Sequence, residues 1–231
     1  MNLLLVASDA MEFRGLVKHC TQVRACGLPL DWARRARLGA YEVLLAANGV
    51  GARRAAAAVD AAAGNFAPDG IVSLGFCGAL DPALQVADIV TGSCVTHHHQ
   101  AHTAMPVSCG RAHRTGAVCS LDSIARTAGE KSALFASGAV AVEMEAGGVA
   151  QQAQALGKPF YCIKAVTDLA DETMQNDFNQ ALRSDGHFDT IKLLASSLRH
   201  PSVRIPELLR LRKRSLWAAE VLGEFVADSR F

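Results

Sequence analysis

The sequence predicts an α/β fold with a mixed or mainly parallel sheet. Two observations carry this prediction. Short apolar runs of strand length alternate with Ala-rich stretches of helical length, and glycines or prolines punctuate many of the joins. The chain is also large enough: 231 residues, half of them hydrophobic and 19% charged, suffice for one domain with a full core and exclude disorder as the main state.

The elements follow in order. Leu3 to Ala7 predicts a first strand. The opening run Met1 to Val6 is short and lacks the basic leader of a signal peptide. Tyr41 to Ala47 predicts a second strand. Ala52 to Ala63 is mostly alanine, the best helix former, and stops at Gly64. Ile71 to Leu74 and Asp88 to Val95 predict strands. Ala139 to Val142 predicts another, leading into a helix from Met144 to Leu156 closed by Gly157 and Pro159. Phe160 to Val166 predicts a strand, and Asn176 to Leu198 a helix with Gly186 as its weak point. Residues 201–231 predict a helical extension to a domain spanning 1–200. With Arg199 just before it, this extension is basic and amphipathic: Arg204, Arg210, Arg212, Lys213 and Arg214 interleave with Leu208, Leu211, Leu216, Trp217, Leu222 and Phe225. It is expected to pack on the domain, with peripheral contact to an anionic membrane as the sharper reading.

Composition narrows the function classes. The 23 basic and 22 acidic residues leave a net charge of +1, which gives no reason to expect nucleic-acid binding. No apolar run approaches the roughly 20 residues of a spanning helix. Seven cysteines, odd in number and without a C-x-x-C pair, predict reduced thiols and a cytoplasmic protein. Adjacent histidines His97, His98 and His99, with His102, predict a polar loop after a strand, since neighbours on a strand point to opposite faces. No metal or redox cofactor is expected.

In open α/β sheets, sites gather at the carboxyl ends of strands. Four ends here are rich in glycine and acid: Ser8 to Glu12, Asn48 to Gly51, Gly75 to Leu80, and Val166 to Asp171. A fifth acidic cluster, Glu143-Met144-Glu145, opens a helix. These segments resemble the nucleoside phosphorylase and nucleosidase family. Three of them carry the match: IVSLGFCGALDPALQVADIV from Ile71, VEMEA from Val142, and KAVTDLAD from Lys164. Within the family, the stretch Gly116 to Glu145, with Lys131, and the C-terminal tail resemble the hopanoid-associated phosphorylase branch. The resemblance implies a single-domain three-layer sandwich with a mixed central sheet, no cofactor beyond inorganic phosphate as co-substrate, and a homodimer or higher oligomer. It implies cleavage of the N-glycosidic bond of an adenine nucleoside. Phosphorolysis of a 5′-substituted adenosine such as adenosylhopane is the main expectation. Hydrolysis of methylthioadenosine or S-adenosylhomocysteine is the alternative, and nucleoside binding without turnover the second.

The residue roles follow from the chemistry. A departing purine must gain a proton, and the resemblance gives that task to Asp168 as general acid. Glu145 and Met144 correspond to the ribose contacts, with Glu143 the expected solvent-facing neighbour. Glu12 corresponds to the glutamate that positions water. Arg14, two residues on, suits an anion. Gly49 and Gly51 precede a helix carrying Arg53, a candidate phosphate site of backbone N–H groups and one cation. Gly75 opens a turn that lets backbone approach a ligand, although Phe76 stands where nucleosidases have serine. Cys77 is expected to pack, not react. Ser120 and Asp122 lie in the stretch where relatives hold the base.

Overall fold

The computed structural model describes residues 1–183, 185–198 and 200–231; Arg199 lies outside them. The strands are β1 (Asn2–Ala7), β2 (Thr21–Ala25), β3 (Trp32–Leu38), β4 (Tyr41–Ala47), β5 (Gly70–Ala79), β6 (Ile89–His97), β7 (Gln100–Thr103), β8 (Arg114–Ser120), β9 (Ala139–Glu143) and β10 (Phe160–Asp168). The helices are α1 (Arg14–Val17), α2 (Ala52–Phe66), α3 (Ala128–Ala136), α4 (Ala146–Ala155), α5 (Phe178–Ala181), α6 (Thr190–Ser197) and α7 (Pro201–Asp228), with a 3₁₀ turn at Ala10–Phe13.

All strands join one mixed sheet, ordered β10-β6-β8-β9-β5-β1-β4-β3-β2, with β7 on β6. Because β10 also pairs with β5, five strands close into a ring from which β1, β4, β3 and β2 extend. β5 runs parallel to β1 and β10, so their carboxyl ends point the same way. β9 is antiparallel to β5 but meets it only at Gly78 and Ala79, which brings the end of β9 to the same place.

Two apolar layers cover the sheet faces. On one, Ala55, Ala58, Val59 and Ala62 of α2 and Val149, Ala150 and Ala153 of α4 pack on Leu4, Val6 and Leu44. On the other, Ala218, Leu222, Phe225 and Val226 of α7 pack with Leu3, Leu5, Phe13 and Ile163. The residues of α7 that face this core recur at helical spacing, which is why a basic tail is also a core element. Two of its arginines, Arg210 and Arg214, turn toward Glu172, at 3.9 and 2.7 Å. Among the described residues, no helix is long and apolar enough to cross a membrane. All seven cysteines are unpaired.

Three sequence expectations need correction. The segment Asn176 to Leu198 is two short helices, α5 and α6. The turn between them places Gly186 at φ +79°, a left-handed conformation glycine adopts without cost, and Gly186 O accepts from Val50 N at 2.8 Å. A tertiary contact therefore overrides local helix propensity. α2 runs past Gly64 because Phe66 reaches the core and Ala67 adopts the left-handed cap at φ +48°. The histidines form a tight hairpin: His97 ends β6 opposite Gln100, with His98 and His99 at positive φ.

Candidate active site

The convergent strand ends border an open cavity of about 370 Å³. Its wall includes Glu12, Glu143, Met144, Glu145 and Asp168, so four carboxylates meet in one place. Each arrives by a different route. β1 leads into the 3₁₀ turn carrying Glu12. The Asp9 side chain caps this turn by accepting from Met11 N, and in its capping box Asp9 also accepts from Glu12 N while the Glu12 side chain reaches back to Asp9 N. Glu12 Oε2 accepts from Ser8 N, Ser8 Oγ and Asp9 N at 2.8–2.9 Å, and Oε1 accepts from Phe76 N at 2.9 Å. Burial raises the affinity of this carboxyl for a proton, against the opposing pull of these donors and Lys164.

Glu145 stands at the start of α4, where its Oε1 accepts from Gly51 N at 2.9 Å. Burial first, then the charges of Glu143 and Glu12, push its pKa up to about 7, against the attraction of Lys164. Glu143 is not the solvent-facing member of the cluster. β9 keeps it inside, where Oε2 accepts from Glu145 N, Ala146 N and the Lys164 ammonium at 3.0, 2.8 and 2.8 Å. Lys164 is fully buried. Burial opposes its charge, but Glu143 and the neighbouring acids outweigh that and hold its pKa above the usual lysine value. An apolar strand context, Ile163-Lys164-Ala165-Val166, was the sequence signal for a buried, paired lysine.

Asp168 closes β10 just past an irregularity in its pairing with β5, opposite Gly78. Its Oδ2 accepts from the Lys131 ammonium at 2.5 Å, and its Oδ1 lies 3.1 Å from Thr167 Oγ1. The segment Gly75 to Gly78 is not the turn the sequence predicts but the continuation of β5, paired with β10, and its two glycines make room for these acids more than for a ligand. A Cβ on Gly75, which sits at φ +142°, would come 2.4 Å from Glu12 Oε1, and one on Gly78 would come 2.7 Å from Asp168 Oδ2. Phe76 contributes its backbone N–H to Glu12, a contact that does not depend on its side chain. Cys77 is buried, and burial followed by the charge of Asp168 raises its thiol pKa well above normal, which suits packing.

The predicted phosphate-binding residues do not gather around this cavity. Gly49 N donates to Ser8 O, Val50 N to Gly186 O and Gly51 N to Glu145 Oε1, so all three loop N–H groups bond within the chain. Arg14 is exposed and lies 3.4 Å from Glu220, and Arg53 is exposed. Ser120 is buried, its Oγ accepting from Gly147 N, and Asp122 is exposed, 3.2 Å from His98. Ligand atoms of His97, His98 and Asp122 lie within 4.8 Å of one another, and none of the three lines the cavity. Sequence reasoning gave no role to Thr167, or to the cavity wall formed by Met174, Phe178 and Phe188 with Leu208 and Leu211 of α7.

A carboxyl facing other carboxylates across a small, partly apolar cavity is the equipment of an enzyme that breaks glycosidic bonds, here of the nucleoside phosphorylase and nucleosidase kind. The model of the phosphorylase superfamily matches residues 33–107 and 95–187, and the chain belongs to that superfamily. It is 27% identical over 177 residues to the 5′-methylthioadenosine/S-adenosylhomocysteine nucleosidase of Pseudoalteromonas translucida (strain TAC 125), covering 64% of this chain and 75% of that protein. It is 28% identical over 180 residues to the enzyme of the same name from Geobacillus kaustophilus (strain HTA426), covering 65% and 77%. Among solved structures, it shares its fold with the Neisseria meningitidis nucleosidase bound to methylthio-immucillin-A, at TM-score 0.73 and 21% identity over 98% of this chain and 97% of that one. The futalosine hydrolase of Helicobacter pylori strain 26695 follows at TM-score 0.71 and 14% identity, over 98% and 95%.

Proposed function

We propose that the protein hydrolyses the N-glycosidic bond of a 5′-substituted adenosine, with methylthioadenosine and S-adenosylhomocysteine as first substrates. One observation carries the choice of water over phosphate: the cavity is lined by carboxylates, while the backbone donors that could cradle an anion are spent within the chain. A neutral nucleophile fits that field better than a phosphate dianion. The relatives quoted above bear nucleosidase and hydrolase names, which favours hydrolysis over phosphorolysis of adenosylhopane.

In this mechanism Asp168 gives its proton to the purine as the glycosidic electron pair moves into the ring. Glu145 accepts hydrogen bonds from the ribose hydroxyls beside Met144, orienting the sugar as positive charge develops. Water attacks the anomeric carbon, and its proton passes to Glu12, whose raised proton affinity suits a base. The apolar wall of Met174, Phe178 and Phe188 with Leu208 and Leu211 suits an apolar 5′ portion such as the thioether of these substrates.

Incubation with methylthioadenosine, with and without phosphate, tests the reading through free adenine and the sugar product. The expected result is phosphate-independent release of adenine and methylthioribose, slowed about 10²–10⁴-fold by Asp168→Asn. Phosphate-dependent release of a sugar phosphate would identify a phosphorylase. Tight nucleoside binding without adenine release would identify a binding protein.

A further inference from the structure

The proposed mechanism asks Asp168 to carry a proton, yet a buried lysine touches that carboxyl. Lys131 is fully buried on α3, and its ammonium donates to Asp168 Oδ2 at 2.5 Å and to Leu169 O at 2.7 Å. Burying a lysine is costly and is repaid only by close, well-bonded partners. We infer that Lys131 is a positioning residue for the acid: it favours the transferable proton on Oδ1 of Asp168 and neutralises the carboxylate left after transfer. This rests on the reading of Asp168 as general acid.

An ammonium has three donors and no acceptor, so the oxygen it touches is held as an acceptor, and the proton is favoured on the other oxygen. That oxygen is Oδ1. Its described neighbour is the Thr167 hydroxyl, at 3.1 Å, which also reaches Cys77 O at 3.3 Å. When Oδ1 is bare, Thr167 can donate to it. When Oδ1 carries a proton, the hydroxyl can turn to Cys77 O, leaving the acid proton free for the base. As the proton passes from Oδ1 to the purine and the glycosidic electron pair enters the ring, Asp168 becomes an anion already paired with Lys131. The cation therefore acts on the product side of the proton transfer, where charge develops.

This predicts dependence on the leaving group. Lys131→Met should slow adenine release from methylthioadenosine about 10²-fold. It should change release of 4-nitrophenol from the matching 4-nitrophenyl riboside by no more than about 3-fold, since that group departs without a proton. On an Asp168→Asn background the same substitution should add less than about 3-fold, because both changes act through one proton. Equal slowing of both substrates, or full additivity with Asp168→Asn, would make Lys131 a structural residue. Lys131→Gln provides a second uncharged variant. If both fail to fold while Asp168→Asn folds, Lys131 serves folding and the inference is overturned. Wild-type protein that releases no adenine overturns the functional reading itself, before any variant is compared.

Discussion

The molecule buries two lysines against two carboxylates, and the pairs differ in what surrounds them. Lys164 meets Glu143 at 2.8 Å, and the same Glu143 oxygen also accepts two backbone N–H groups at the start of α4. That pair joins β10, β9 and α4, with 0% and 1% of its side chains exposed. Lys131 meets Asp168 at 2.5 Å, but the second carboxylate oxygen faces a rotatable hydroxyl, and Asp168 remains 9% exposed at the cavity. The difference teaches that a buried ion pair has no fixed role. Bonded to backbone on several elements, it holds the fold; left with one adaptable oxygen beside a cavity, it is available for proton transfer.

Removing one partner of the Lys164 pair should give the largest effect on stability. Lys164→Met strands Glu143 beside Glu145 and Glu12, and urea denaturation should show a loss of about 3–5 kcal/mol. An unchanged midpoint would remove the structural half of the comparison. A middle-sized effect is expected from Glu145, whose pKa is held near 7 against an ordinary 4.5. Between those values the unfolded chain has released this proton while the folded chain keeps it, so Glu145 makes stability fall as pH rises from about 4.5 to 7. Glu145→Gln should make the fall in Tm across that window shallower; an identical slope would show that Glu145 does not report on the acidic cluster. The smallest effect belongs to the surface: Arg14→Ala breaks an exposed pair with Glu220 and should cost less than about 1 kcal/mol with turnover unchanged. A large loss of activity would return Arg14 to the nucleophile site.

Much of the fold was legible because its central strands are mostly apolar runs: β1, β4 and β10 are recovered to within one or two residues. β2 and β3 were not, since Thr21–Ala25 is exposed and Trp32–Leu38 is rich in arginine, so neither reads as a buried strand. The short helix α3, with its capping box from Thr127 to Glu130, was signalled but lay between stretches of weak periodicity. At the site, acids at strand ends were visible as a pattern. Their partners were not, because Lys131 and Lys164 lie 37 and 21 residues from the carboxylates they meet. The Gly49–Gly51 loop shows the opposite failure: its sequence suits an anion, but Ser8, Gly186 and Glu145, all distant in sequence, take its donors.

The helix α7 carries one further consequence. Leu208, Leu211, Arg212 and Ser215 line the cavity, and a few residues later Ala218, Leu222 and Phe225 anchor the same helix in the core. Cavity wall and anchorage thus share one rigid rod but occupy separate stretches of it. The wall can be re-sculpted by substitution while the anchor is kept, whereas a single inserted residue between Ser215 and Ala218 would turn one stretch relative to the other by about 100°. For a designer reshaping the cavity, the side chains of this rod are adjustable and its length is not.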